Sequence, residues 1–156
     1  VLEKLFGMFT LDWMASSFNF KCQKFFSRIE TPGSAGQDVF NHAKELATNS
    51  VSGKRENGYC YLPFAMIMAV LQLVFQSGAD VTVILPEVNA LWWPKAWDMA
   101  VEKVKLASEG DEMSRVYSIP SQFLPMKGGR QHDPLVGAKL RFNLWALRFQ
   151  ASNTNT

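Results

Sequence analysis

Apolar and polar positions along the chain fall into short runs that switch between the period of a strand and that of a helix. Phe9-Thr10-Leu11-Asp12-Trp13 has strand composition and gives way to small residues, Ala15, Ser16 and Ser17. Lys24 to Arg28 reads as a short second strand, and Thr31 to Gly36 as a loop by its turn residues. Asp38 to Ala47 is predicted as a short helix. Thr48 to Asn57 carries Ser50, Ser52, Gly53 and the charged Lys54-Arg55-Glu56, and reads as a solvated loop.

The clearest pattern follows. Tyr59 to Leu62 reads as a buried strand, and Phe64 to Gln76 as a helix apolar nearly all round, ended by Gly78. Val81 to Leu85 is a β-branched run of the kind found in parallel strands covered on both faces. Strand, helix and strand make one βαβ crossover, with a proline-aromatic turn, Pro63-Phe64, at the end of the first strand. Pro94 fits the first turn of another helix, and Trp97, Ala100, Val101, Val104 and Ala107 continue it at helical spacing. Ser108 to Ser114 is a charged turn, Val116 to Ile119 a short strand, and Pro125 to Pro134 a Gly-rich loop. Leu140 to Leu144 alternates as a strand, extended by Trp145 to Phe149 with both faces apolar. Strands alternating with helices predict an α/β fold with a mostly parallel sheet, helices on both faces and an antiparallel strand at the carboxyl end. Residues 1–149 form one domain on this reading, and 150–156 a disordered polar tail.

Composition narrows the picture modestly. A chain of 156 residues suits one domain, which at this size buries roughly 68–70% of its unfolded surface. The net charge of +2, from sixteen basic and fourteen acidic residues, gives little general attraction for nucleic acid, although it allows a local basic patch. Two cysteines, Cys22 and Cys60, are too few for a disulfide scaffold and read as free thiols. The chain opens at Val1 without a charged-then-apolar leader, so an intracellular setting, nuclear or cytoplasmic, is expected. No residue from Asn57 to Ala79 is charged, yet its strongly apolar run spans only Phe64 to Phe75. A membrane span needs about 20 apolar residues, so no membrane partner is expected.

There is no Gly-rich nucleotide loop, no nucleophile elbow and no metalloprotease motif. A zinc site would need all of the scattered His42, His132, Cys22 and Cys60, so no metal is expected. Other residues are open to two readings each. Asp12, taken to end the first strand, either holds a cofactor ribose or is a solvated or capping acid. Glu87 follows a strand end and either faces a cleft or is an ordinary loop carboxylate. Trp92 and Trp93 are a stacking platform for single-stranded nucleic acid or an anchor for the helix they precede. Lys127 and Arg130, with Lys139 nearby, contact phosphate or belong to a mobile basic loop; Lys21, Lys24 and Arg28 are equally ambiguous. Tyr59, Tyr61 and Phe64 are either core packing or a base-binding turn.

An ordered set of short matches gives these residues a context. It runs through Leu11-Asp12-Trp13-Met14-Ala15-Ser16, Asn19, Lys21-Cys22, Phe25, Ser27-Arg28, Pro32-Gly33 and Asp38-Val39-Phe40. It continues through Tyr59 to Phe64, Val83-Ile84-Leu85-Pro86, Trp92-Trp93-Pro94, His132, Pro134-Leu135, Leu140-Arg141 and Trp145. In this order the chain resembles the phage-type DNA adenine methyltransferases. More closely, it resembles the methyltransferase-like segment that follows RNase H in DIRS-type, tyrosine-recombinase retroelements. The resemblance covers nearly the whole chain, and no single motif in it is specific. It implies a single Rossmann-like, methyltransferase-type domain.

In active members of that family the turn after the strand reads Asn-Pro-Pro-Tyr or Asn-Pro-Pro-Phe. The amide and a neighbouring carbonyl grip the exocyclic amine of a flipped adenine, and the ring stacks on the base. The matching residues here are Tyr61-Leu62-Pro63-Phe64. Pro63 and Phe64 are kept, whereas Tyr61 stands in place of the amide and cannot supply its paired donor and acceptor. The resemblance therefore implies a degenerate catalytic motif at Tyr61, Pro63 and Phe64, with no cofactor used. Such a domain would work through protein contacts within a larger assembly or polyprotein, or through weak binding of DNA or RNA. Two alternatives are an active adenine methyltransferase using S-adenosylmethionine, with Asp12 on the cofactor, and a domesticated structural subunit of a larger complex.

Overall fold

The computed structural model describes residues 2–15, 24–27, 34, 36–37, 39–49, 51–61, 64–117 and 125–150. Along the chain these form α1 (Leu2–Phe6), β1 (Leu11–Ala15), β2 (Phe25–Ser27) and β3 (Gly36–Gln37). A 3-10 turn, Val39–His42, runs into α2 (Ala43–Ala47), followed by β4 (Asn57–Tyr61). A second such turn, Phe64–Met66, opens α3 (Ile67–Ser77), and then come β5 (Asp80–Pro86), α4 (Trp92–Met99) and β6 (Glu102–Ala107). The remainder is α5 (Met113–Val116), β7 (Met126–Lys127), β8 (Arg130–Gln131) and β9 (Leu144–Phe149).

Seven strands make one sheet in the order β3-β2-β1-β4-β5-β9-β6. The first five in that order are parallel, and β9 lies antiparallel between β5 and β6. β6 therefore runs with the first five. A mixed α/β fold with a mostly parallel sheet and an antiparallel carboxyl-terminal strand is thus present. β5 and β9, next to each other inside the sheet, are mostly buried on both faces, and they enclose the polar Thr82 and Arg148 among apolar side chains.

The strands divide their side chains between two layers. Leu11, Trp13, Phe26, Cys60, Val81, Val83, Leu85, Leu147 and Phe149 pack with Leu46 of α2, Ile67, Val70, Leu71 and Val74 of α3 and Ala96 of α4. On the other face Ile84, Leu144 and Ala146 pack with Ala107, Leu140, Leu2 of α1, and Met113, Val116 and Tyr117. The longer helices therefore share one face. The opposite face is covered by two short helices and irregular chain.

Several predicted elements change. The helix expected from Pro94 onward stops at Met99, where Ala100 turns extended at φ −70°, ψ 132°, and Glu102–Ala107 becomes strand β6. Its alternating Lys103 and Lys105 suit an edge strand, which charged side chains protect from pairing with other chains. Val116 closes helix α5 rather than starting a strand, and residues 118–119 lie outside the described residues. The last strand begins at Leu144, because Leu140 is held in a loop by exchange with Gly110 and Asp111 (2.9 and 2.8 Å). The loop over Pro125 to Pro134 contains the hairpin β7–β8, whose two turn residues Gly128 and Gly129 both have positive φ, 60° and 78°. That geometry matches the twist of the flanking strands, and glycine adopts it without strain. β4 starts at Asn57, and the tail after Gln150 lies outside the described residues. No helix among the described residues is long and apolar enough to cross a membrane.

Candidate functional site at the carboxyl edge of the sheet

β1 leads to β2 and β3 on one side, and the chain then returns to lay β4 against the other side of β1. The crevice outside the carboxyl ends of β1 and β4 is therefore the topological switch point, where open α/β sheets bind ligands. Tyr61 is the last residue of β4 and is 43% exposed. Burial of its phenol is the first cause that pushes its pKa above the ordinary tyrosine range, and a hydrogen bond with Tyr117 is the second. The two rings lie 5.9 Å apart. Phe64 opens the turn into α3, is 56% exposed, and leans on Phe142 at 5.4 Å. Leu62 and Pro63, between them, lie outside the described residues. The structure thus brings Tyr61 and Phe64 to one edge and adds Tyr117 and Phe142. Sequence reasoning assigned Tyr117 and Phe142 to strands, and the only signal for them was their aromatic character.

Asp12 is not where the sequence put it. It is the second residue of β1, beside Phe25 and Tyr59, not the last. That leaves it about 10 Å short of the strand end at the usual strand rise. Its carboxylate is only 2% exposed and accepts the Met14 N–H at 3.2 Å. An acid closed from solvent within the sheet does not fit the ribose role read for it. Beside it Cys60 is fully buried, and its thiol is pushed well up, first by burial and then by the charge of Asp12.

Glu87 follows β5, is exposed, and takes one neutral donor on each oxygen. Trp145 Nε1 and Asn143 Nδ2 each donate to one of its oxygens at 3.1 Å. Trp92 and Trp93 begin α4, half-buried against the core. Their rings lead from Trp92 to Trp93 (6.0 Å), Trp97 (5.6 Å) and Trp145 of β9 (4.8 Å). The pair therefore anchors α4 on the sheet. Trp93 also lines a groove of about 290 Å³ with Glu87, Pro94, Trp97 and Asp98. Lys127 and Arg130 are cross-strand partners in the β7–β8 hairpin, both exposed and neither ion-paired among the described residues. A wider hollow of about 520 Å³ beyond β6 mixes Asp111 and Glu112 with Arg115 and Lys139.

One polar cluster was missed. Arg148 of β9 is 4% exposed, and its Nη1 donates to Asn57 Oδ1 at 2.6 Å and Thr82 Oγ1 at 3.2 Å. Burial lowers its pKa, which Asp80 partly offsets. Asn57 Nδ2 donates in turn to the carbonyls of Phe6 and Met8 (2.9 and 3.1 Å), and the Phe6 ring lies 5.5 Å from the guanidinium. This ties α1 to the amino ends of the parallel strands, away from the switch point. Among the described residues no group of three or more His, Cys, Asp or Glu is placed to hold a metal. The sequence matches no protein-family model and no curated protein.

Proposed function

We propose that the chain is a Rossmann-like, methyltransferase-type domain of retroelement origin that no longer transfers a methyl group. It acts through contacts with protein partners or nucleic acid, in the nucleus or cytoplasm. The sheet order supports the architecture: β3-β2-β1-β4-β5 with β6 beyond is the doubly wound order, interrupted by the single antiparallel β9. One observation carries the loss of activity. At the carboxyl end of β4, where the resembling enzymes need an amide, stands the phenol Tyr61, with the Tyr117 ring 5.9 Å from its own. A hydroxyl carries its donor and its acceptor on one atom and cannot reproduce the separate carbonyl and amino groups with which an amide meets an adenine edge. The acid read for the cofactor, Asp12, is buried within the sheet, which speaks against its holding S-adenosylmethionine, and no step through that group is derived.

The exposed Phe64 ring favours a retained contact role, since a base or an apolar side chain can stack on it. It is also the one feature that speaks for a live adenine methyltransferase. Titration calorimetry separates these readings. With S-adenosylmethionine no saturable heat is expected, for the wild type or for Tyr61→Asn. Stoichiometric binding by the wild type would restore the enzyme reading.

A further inference from the structure

The groove beside α4 combines features that suit one class of ligand. Two indoles, Trp93 and Trp97, and the Pro94 ring give it flat walls, and the carboxylates of Glu87 and Asp98 give it negative charge. No basic side chain lines it. Asp98 makes no ion pair among the described residues, and Glu87 is held only by the neutral donors of Asn143 and Trp145. Two negative charges thus stand on an aromatic surface without a cation of their own. Trp97 already takes a cation within the molecule, since Lys103 Nζ sits 5.1 Å from its ring centre.

We infer that this groove receives an arginine side chain from a protein partner. A guanidinium is planar, is weakly hydrated, stacks on indole faces and donates to carboxylates in a fixed fork. A nucleic-acid strand suits the same rings but brings phosphates, which Glu87 and Asp98 repel. The groove therefore gives Trp93 a role other than a nucleic-acid platform. It uses none of Asp12, Tyr61 and Phe64, so it stands or falls apart from the reading of the switch point.

The test titrates the intact chain with a short capped glycine peptide carrying one central arginine, followed by the indole N–H signals in NMR. Saturable shifts are expected at Trp93 and Trp97. Asp98→Asn should weaken binding by about fivefold, the scale of one cation–aromatic or partly exposed charge contact. This position is exposed and outside the core, so the variant should fold as the wild type does. Trp93→Leu should weaken binding at least as much, with its thermal unfolding checked in parallel. The same peptide with citrulline in place of arginine, equal in shape but uncharged, should not saturate. Equal binding of the citrulline peptide, unchanged affinity in Asp98→Asn, or no saturable shift would overturn the inference. So would a single-stranded oligonucleotide that moves these indoles when the peptide does not.

Discussion

Gly58 shows how tightly single residues determine this sheet. A Cβ there would stand 2.6 Å from Trp13 Nε1 and 3.0 Å from Val81 Cγ2, inside a core where Trp13 is 1% exposed. Gly58→Ala should cost about 1–3 kcal/mol, the usual range for overpacking, measured by urea unfolding. Trp13 Nε1 is buried with no partner among the described residues, so shortening that ring removes both the clash and an unpaired donor. In Trp13→Phe the added cost of Gly58→Ala should shrink by about 0.5 kcal/mol or more, as expected for residues in contact. Full additivity would mean that the indole does not occupy that space. Cys60 carries a second residue-scale expectation. Its folded pKa is raised, so its thiol stays neutral at a pH where the unfolded thiol ionises. Stability from this group is complete below its ordinary value and falls as pH rises past about 9. Tyr61 pushes in the same direction at still higher pH. Iodoacetamide, followed by mass spectrometry, should leave Cys60 unmodified in the native chain and label it after unfolding.

At the scale of elements, what the sequence reveals depends on whether local pattern and sheet demand agree. They agree for β4, α3 and β5, where an uncharged helix joins two parallel strands and Gly78, at φ 65°, ends the helix as expected, although only β5 is buried almost throughout and β4 alternates in burial. They disagree at Glu102–Ala107. Trp97, Ala100, Val101 and Val104 satisfy helical spacing, but β9 needs an outer neighbour, and pairing from Glu102↔Arg148 to Ala107↔Leu144 provides it. A local window cannot see a partner about 40 residues away in the chain. The site divides in the same way. Tyr61 and Phe64 are legible because they flank the turn; Tyr117 and Phe142 come from distant chain and are not. The Arg148 cluster was hidden because a single arginine in an apolar strand gives no hint of its acceptor. Asn57→Ala removes that acceptor and both tethers to α1 at once. It should cost about 2–3 kcal/mol, as for a hydrogen bond to a buried charge. Amide exchange at Gly7, bonded to Glu3, should also become faster. Asn57→Asp keeps an acceptor for Arg148 and loses only the tethers, so it should recover part of the stability while Gly7 still exchanges fast. Equal losses in both variants would separate Arg148 from the effect.

For the whole molecule, alternation of strand and helix was enough to expect a parallel α/β sheet with a reversed last strand. The order of the strands, which brings the ends of β1 and β4 together, became visible only with the pairing. Under the proposed function that order is a methyltransferase-type frame, with the phenol of Tyr61 and the enclosed carboxylate of Asp12 set against the reaction. The conflict between frame and site is what the proposed function rests on. The most direct measurement is transfer of a labelled methyl group from S-adenosylmethionine to adenine-containing DNA, single- and double-stranded, by the unaltered chain. No incorporation above a no-protein control is expected. Label appearing on the adenine amino group would show that the phenol tolerates the chemistry, and would contradict the account.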